Sequence, residues 1–118
     1  MTLDIGLSFE KEITVNETNI ASRFEEGLPD VFSTPDMIQE MESASYRLLK
    51  ETLPENQTSV GTHVNVSHDK SLRVGQVVHV KAVVIDIDRK KVTFSVTATS
   101  GEDIVGRGTH SRFIIDKE

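Results

Sequence analysis

Apolar and polar residues alternate with period two along most of the second half of the chain, and follow a helical period over one stretch before it. KKVTFSVTATS sets Val92, Phe94, Val96 and Ala98 against Thr93, Ser95, Thr97 and Thr99, the pattern of a strand with one buried face. GQVVHVKAVVIDID puts Val78, Val80, Ala82 and Val84 on one face, and TSVGTHVNVSH groups Thr62, Val64, Val66 and His68. Turns are expected at Asp88 to Lys90 and at Ser100 to Asp103. In the last strand, IVGRGTHSRFIID, Gly106 and Gly108 share a face, which points to a bend or a close backbone approach. LSFEKEITV, Leu7 to Val15, sets Phe9, Lys11 and Ile13 against Glu10, Glu12 and Thr14, and reads as a first strand. The polar stretch from Asn16 to Phe32, broken by Gly27 and Pro29, reads as a loop or short helical turn.

STPDMIQEMESASYRLLKETLPENQ predicts one long helix. Thr34 is the expected N-cap, Pro35 the first helical residue, and Asp36 complements the positive end of the dipole. Pro54 and Asn56 end the helix. Met37, Ile38, Met41, Ala44, Ser45, Leu48 and Leu49 form an apolar stripe, with Glu40, Arg47, Lys50 and Glu51 on the solvent side. The order is therefore strand, loop, helix and four antiparallel strands. This is the α+β layout of a hot-dog fold, one long central helix wrapped by a curved five-stranded sheet, as a single domain over residues 1–118. One helix hardly covers such a sheet, so the exposed edges predict a homodimer with sheets joined edge to edge.

Composition narrows the function. A net charge of −6 argues against a nucleic-acid surface, and the densest basic cluster, Asp88 to Lys91, reads as a solvated turn. With no cysteine there is no disulfide or thiolate site, which fits a reducing, cytoplasmic setting. No stretch approaches the roughly 20 apolar residues of a membrane span. The acidic N-terminal segment does not read as a signal peptide.

Three side chains carry candidate chemistry, and each also has a purely structural explanation. Thr34 caps the helix, but its hydroxyl also sits beside free N–H groups that could hold an oxyanion. Glu42, at the margin of the stripe, is a solvated boundary residue or a half-buried carboxylate that orients a neighbour. His68 ends a strand, and imidazole is the side chain suited to proton transfer near neutral pH. All three fall on surfaces expected to meet where the helix start faces the sheet, which is the composition of a nucleophile, base and orienter. His63 falls on the opposite face from His68 by strand parity, so the two do not form a metal pair. His79 and His110 lack Cys or carboxylate partners at ligand spacing, so no metal site is expected.

The segments VFSTPDMIQEMESASYRLL, SVGTHVNVSHDKSLRVGQVVHVKAVV and GRGTHSRFII resemble the hot-dog thioesterases related to fluoroacetyl-CoA thioesterase, over roughly residues 28 to 115. The family's catalytic threonine, glutamate and histidine match Thr34, Glu42 and His68 without a gap. Its thioester-holding glycine matches Gly61. The resemblance implies hydrolysis of an acyl-CoA thioester by a homodimer, with no cofactor beyond the coenzyme A of the substrate. It leaves open whether the threonine or a water attacks. The fluoroacetyl-selective members carry bulky aromatics ahead of the helix where this chain has Glu25 and Leu28. That implies a different small or medium acyl group, with Leu28 lining its site. Pro35 follows the threonine where the family has a small or flexible residue. Arg73, Arg89, Lys90 and Lys91 are the basic candidates for the CoA diphosphate. The alternatives are a non-catalytic acyl-CoA or small-ligand binding protein on the same fold, and a hot-dog dehydratase or hydratase. The latter lacks support because no D-x-N-P-x-H type stretch is present.

Overall fold

In a computed structural model, which describes residues 2–118, the valine-rich alternating segments form one antiparallel sheet. The strands are β1 (Ser8–Thr14), β2 (Gln57–His68), β3 (Val77–Asp88), β4 (Lys91–Ser100) and β5 (Asp103–Asp116). Their spatial order is β1-β3-β4-β5-β2, so β1 and β2 are the edges. The helix α1 (Thr34–Thr52) lies across the sheet and packs on all five strands. Met37, Met41, Ala44, Leu48 and Leu49 meet Val78, Val80, Ala82 and Val84 of β3 and Val92, Phe94, Val96 and Ala98 of β4, all buried. Each such large side chain contributes about 1.5–3 kcal/mol by leaving water. This is the hot-dog layout that the alternation predicts.

The helix start differs from the expectation by one residue. Ser33, not Thr34, is the N-cap: its backbone is extended and its hydroxyl accepts from the Asp36 N–H at 3.0 Å. Thr34 is the first helical residue, which turns its side chain away from the capping position. Asp36 is buried, hydrogen-bonded to the Ser33 hydroxyl and gripped by Arg23 at 2.8 and 3.0 Å. That pair ties the short 3₁₀ turn Ala21–Arg23 to the helix.

Glu40 also departs from the solvated role expected of it. It is half-buried, 2.6 Å from Lys11, because Lys11 points from β1 toward the helix. Outward, β1 carries Glu10 and Glu12 beside His79 and Lys81 of β3.

In β2 the pairing with β5 shifts between Gly61 and His63. Thr62 is the extra residue, so the helix-facing set is Ser59 and Gly61 before it, then Val64, Val66 and His68 after it. Thr62 therefore does not continue that face as the simple alternation predicts. His63 points to the other side of the sheet, with Thr93 and Phe113. The two glycines of β5 allow β2 to come close. A Cβ on Gly108 would stand 2.0 Å from the Asn65 carbonyl oxygen, and one on Gly106 would stand 2.5 Å from that of Ser67.

Candidate active site

The helix start and the end of β2 bring two of the expected residues together. Thr34 Oγ1 lies 2.8 Å from His68 Nδ1. Phe32 stands edge-on to the imidazole, with ring centroids 6.1 Å apart. A cavity of about 260 Å³ opens here, lined by Ala21, Phe32, Thr34, His68 and Lys70 among others. Thr34 is exposed to it, and His68 is half-buried. Burial pushes the His68 pKa below its usual value, with the Lys70 backbone and the Asp69 charge opposing. The ring is thus neutral at pH 7 and able to accept a proton. Its second nitrogen, Nε2, is buried with no hydrogen-bond partner among the described residues.

The free N–H groups expected at the helix start are largely used. Pro35 has none, the Asp36 N–H goes to the Ser33 hydroxyl, and the Met37 N–H goes to the Ser33 carbonyl. The Asp36 carboxylate already occupies the positive end of the dipole. The helix start thus offers few free N–H groups for holding an oxyanion.

Glu42 does not join Thr34 and His68 within the protomer, contrary to the expectation that all three meet. Eight residues of helix separate Thr34 from Glu42, about 12 Å along the axis. Glu42 instead leans over Gly61: a Cβ there would stand 2.6 Å from Glu42 Oε1. Gly61 is thus a notch in the edge strand that the carboxylate fills. The same oxygen is 3.6 Å from Arg112 Nη1 and 3.9 Å from His110 Nε2. Leu28 lies in an exposed turn, 44% accessible, and is not among the residues lining the Thr34–His68 cavity.

His110 and Arg112 are members of this second cluster that sequence reasoning passed over. His110 is 1% exposed and Arg112 7%, both on the helix-facing side of β5. Their parity was available: in β5 they share the face of Gly108 and the buried Ile114, so both were due to face inward. The carboxylate that His110 lacks in sequence arrives from α1 in space.

Residues 15–118 match the family described as Fluoroacetyl-CoA-specific thioesterase (FlK). Among individual proteins, the Fluoroacetyl-CoA thioesterase of Streptantibioticus cattleyicolor is 33% identical over 90 residues, covering 76% of this chain and 65% of that protein. The matched stretch thus spans less than two thirds of that relative's length. A variant of FlK crystallised with fluoroacetate and CoA superimposes with a TM-score of 0.87 at 27% identity, over 97% of this chain and 96% of that one. A hot-dog-like protein from Thermanaerovibrio acidaminovorans shares the fold, with a TM-score of 0.88 at 20% identity over 95% of this chain and 83% of that one. On these matches the chain belongs to the family of fluoroacetyl-CoA-specific thioesterases.

Proposed function

We propose that the protein hydrolyses the thioester of a small or medium acyl-CoA. The observation that carries this is the 2.8 Å contact between Thr34 Oγ1 and His68 Nδ1 at an open cavity. A hydroxyl beside a neutral imidazole is an activated nucleophile. As Thr34 Oγ1 attacks the carbonyl carbon, its proton passes to His68 Nδ1. The C–S bond then breaks and the proton goes to the leaving thiolate, giving free CoA and an acyl ester on Thr34. Water, deprotonated by the same imidazole, cleaves that ester to the carboxylic acid and restores the threonine. Coenzyme A arrives with the substrate, and the cycle uses no resident cofactor or metal.

The site is completed across a homodimer. Within one protomer His68 Nε2 finds no hydrogen-bond partner among the described residues, and Glu42 leans over Gly61 instead. Antiparallel pairing of two β2 edges, centred on Asn65 with Thr62 left out of the register, sets Gly61 and Glu42 of one protomer opposite the partner's His68. Glu42 then supports the imidazole and the carbonyl from the partner's side. The 44% exposed Val60 and 39% exposed Val64 on this edge favour that contact.

The exposed Leu28 and Glu25 form no aromatic lid, which favours an acyl group other than fluoroacetyl. The cysteine-free composition suits the cytoplasm, and no helix of the described residues is long and apolar enough to cross a membrane.

Two measurements test the proposal. Thiol release over acyl-CoAs of graded length and charge is expected to show saturable turnover for at least one. Binding without turnover would make the protein an acyl-CoA binding module instead. Mixing refolded Thr34→Ala and Glu42→Gln subunits is expected to restore about a quarter of wild-type sites, because each heterodimer keeps one intact composite site. No recovery would place all three residues' work within one protomer.

A further inference from the structure

His110 is the most buried ionisable side chain of the protein, and the chemistry above leaves it without a role. Its ring is stacked beside Phe94 of β4 at 6.3 Å and 25°. His110 Nδ1 is 2.8 Å from the carbonyl oxygen of His63, which sits at the irregularity of β2. A carbonyl can only accept, so Nδ1 bears the hydrogen. In the neutral ring Nε2 is then a bare acceptor. The atom facing it, at 3.2 Å, is Arg112 Nη1, which can only donate. The two contacts agree on one tautomer and one charge state.

The Arg112 guanidinium is otherwise fixed by Ser59, Nε to the hydroxyl at 2.8 Å and Nη2 to the carbonyl at 3.1 Å, with the Tyr46 ring 5.6 Å away. His110 supplies the third point. That leaves Nη1 turned toward the Glu42 oxygen that fills the Gly61 notch. Among the described residues, Glu42 makes only the 3.6 and 3.9 Å charge contacts, so its place is set by where Arg112 points.

We infer that His110 is a positioning residue: as the neutral Nδ1–H tautomer it aims Arg112, and through it Glu42, at the thioester site. Protonation would put a hydrogen on Nε2 against the Arg112 donor, turning a hydrogen bond into a repulsion between cations. The groups facing the ring are the His63 carbonyl from β2, Glu42 from α1, Phe94 from β4 and Arg112 from β5. Burial foremost, and the Arg112 charge with it, hold the imidazole below its usual pKa, which keeps the aiming form in place at neutral pH. The inference rests on the thioesterase proposal for its effect on rate, but not for its hydrogen bonds.

The test uses the full-length protein and side-chain mimicry. Gln at position 110 offers an acceptor near the Nε2 position, whereas Asn offers a donor near Nδ1. His110→Gln is expected to retain about tenfold more kcat than His110→Asn and His110→Phe, the scale of one hydrogen bond to a charged group. Its acid limb in kcat should carry one ionisation fewer than wild type. If His110 only braces β2, Asn will equal or exceed Gln and the limb will not change, which overturns the inference. Imidazole ¹⁵N shifts of the wild-type protein decide it independently of folding or turnover. A neutral Nδ1–H tautomer at pH 7 supports it, and an Nε2–H tautomer or a charged ring overturns it. Absent wild-type turnover would count against the thioesterase proposal, and the nitrogen shifts would still judge the positioning.

Discussion

Thr34 Oγ1 and His68 Nδ1 are in hydrogen-bond contact although 34 positions separate them in the chain. The contact depends on the cap being Ser33. Because that hydroxyl serves the helix, the neighbouring one is released to the cavity.

Cap and chemistry should therefore separate by mutation. Ser33→Ala is expected to lower stability by about 0.5–2 kcal/mol in urea unfolding, with activity retained in the folded fraction. Thr34→Ala should cost little stability but lower thioester hydrolysis at least about tenfold, as should His68→Ala. The double variant should be little worse than either single one, because the two act as a unit. Equal stability losses for Ser33→Ala and Thr34→Ala would refute the division of labour.

Acidification should act twice. Burial lowers the pKa of both His68 and His110 in the folded protein. The unfolded chain, with histidine near 6.5, then binds more protons than the folded one, so stability rises with pH across that interval. Folding stability is expected to fall as pH drops below about 6.5 and to level off once the folded-state rings are also charged. The kcat/KM profile should be flat near neutrality and decline only below the usual histidine range. Urea midpoints and initial rates between pH 5 and pH 8 check both. A midpoint that rises on acidification is the contrary result.

Two glycines should respond in opposite ways. In Gly61→Ala the new methyl meets the end of a movable side chain, Glu42, at 2.6 Å. The fold should survive, with melting close to wild type, and hydrolysis should drop because the carboxylate is displaced. In Gly108→Ala the methyl meets backbone, the Asn65 carbonyl at 2.0 Å, which cannot yield cheaply. Destabilisation of about 1–3 kcal/mol or more is expected there. Thermal melts paired with rate measurements on both variants decide the matter.

The proposed dimer gives a further expectation. Val64→Glu introduces an acidic group on the open β2 edge. It should yield monomers in sedimentation and lose activity in proportion. A monomeric variant with full activity would contradict the composite site.

The elements were legible because their patterns are long: five β segments and one amphipathic helix leave few arrangements. Positions within elements were less so. Ser33 and Thr34 are both good caps by composition, and only the backbone conformation distinguishes them. The irregularity at Thr62 inserts a residue that alternation cannot anticipate. Glu42 matched its family position in spacing, yet spacing along a helix is also distance, and eight residues carry it away from Thr34. His110 and Arg112 were readable as inward-facing from their parity in β5, but the groups they meet, Ser59 and Glu42, come from remote parts of the chain.

The charged strand β1 bears on how large an assembly can become. A second β1 approaching that rim antiparallel would bring Glu10 and Glu12 against the same acids of its neighbour, and like charges directly opposite repel. Lys11 is committed inward to Glu40, so His79 and Lys81 of β3 offset this repulsion only in part. The sheet thus has one self-repelling rim, β1, and one open rim, β2, where the proposed dimer would pair. If copies pair through β2 as proposed, growth would end when that rim is filled, and the acidic edge would act as a terminator that keeps pairing from becoming a fibre.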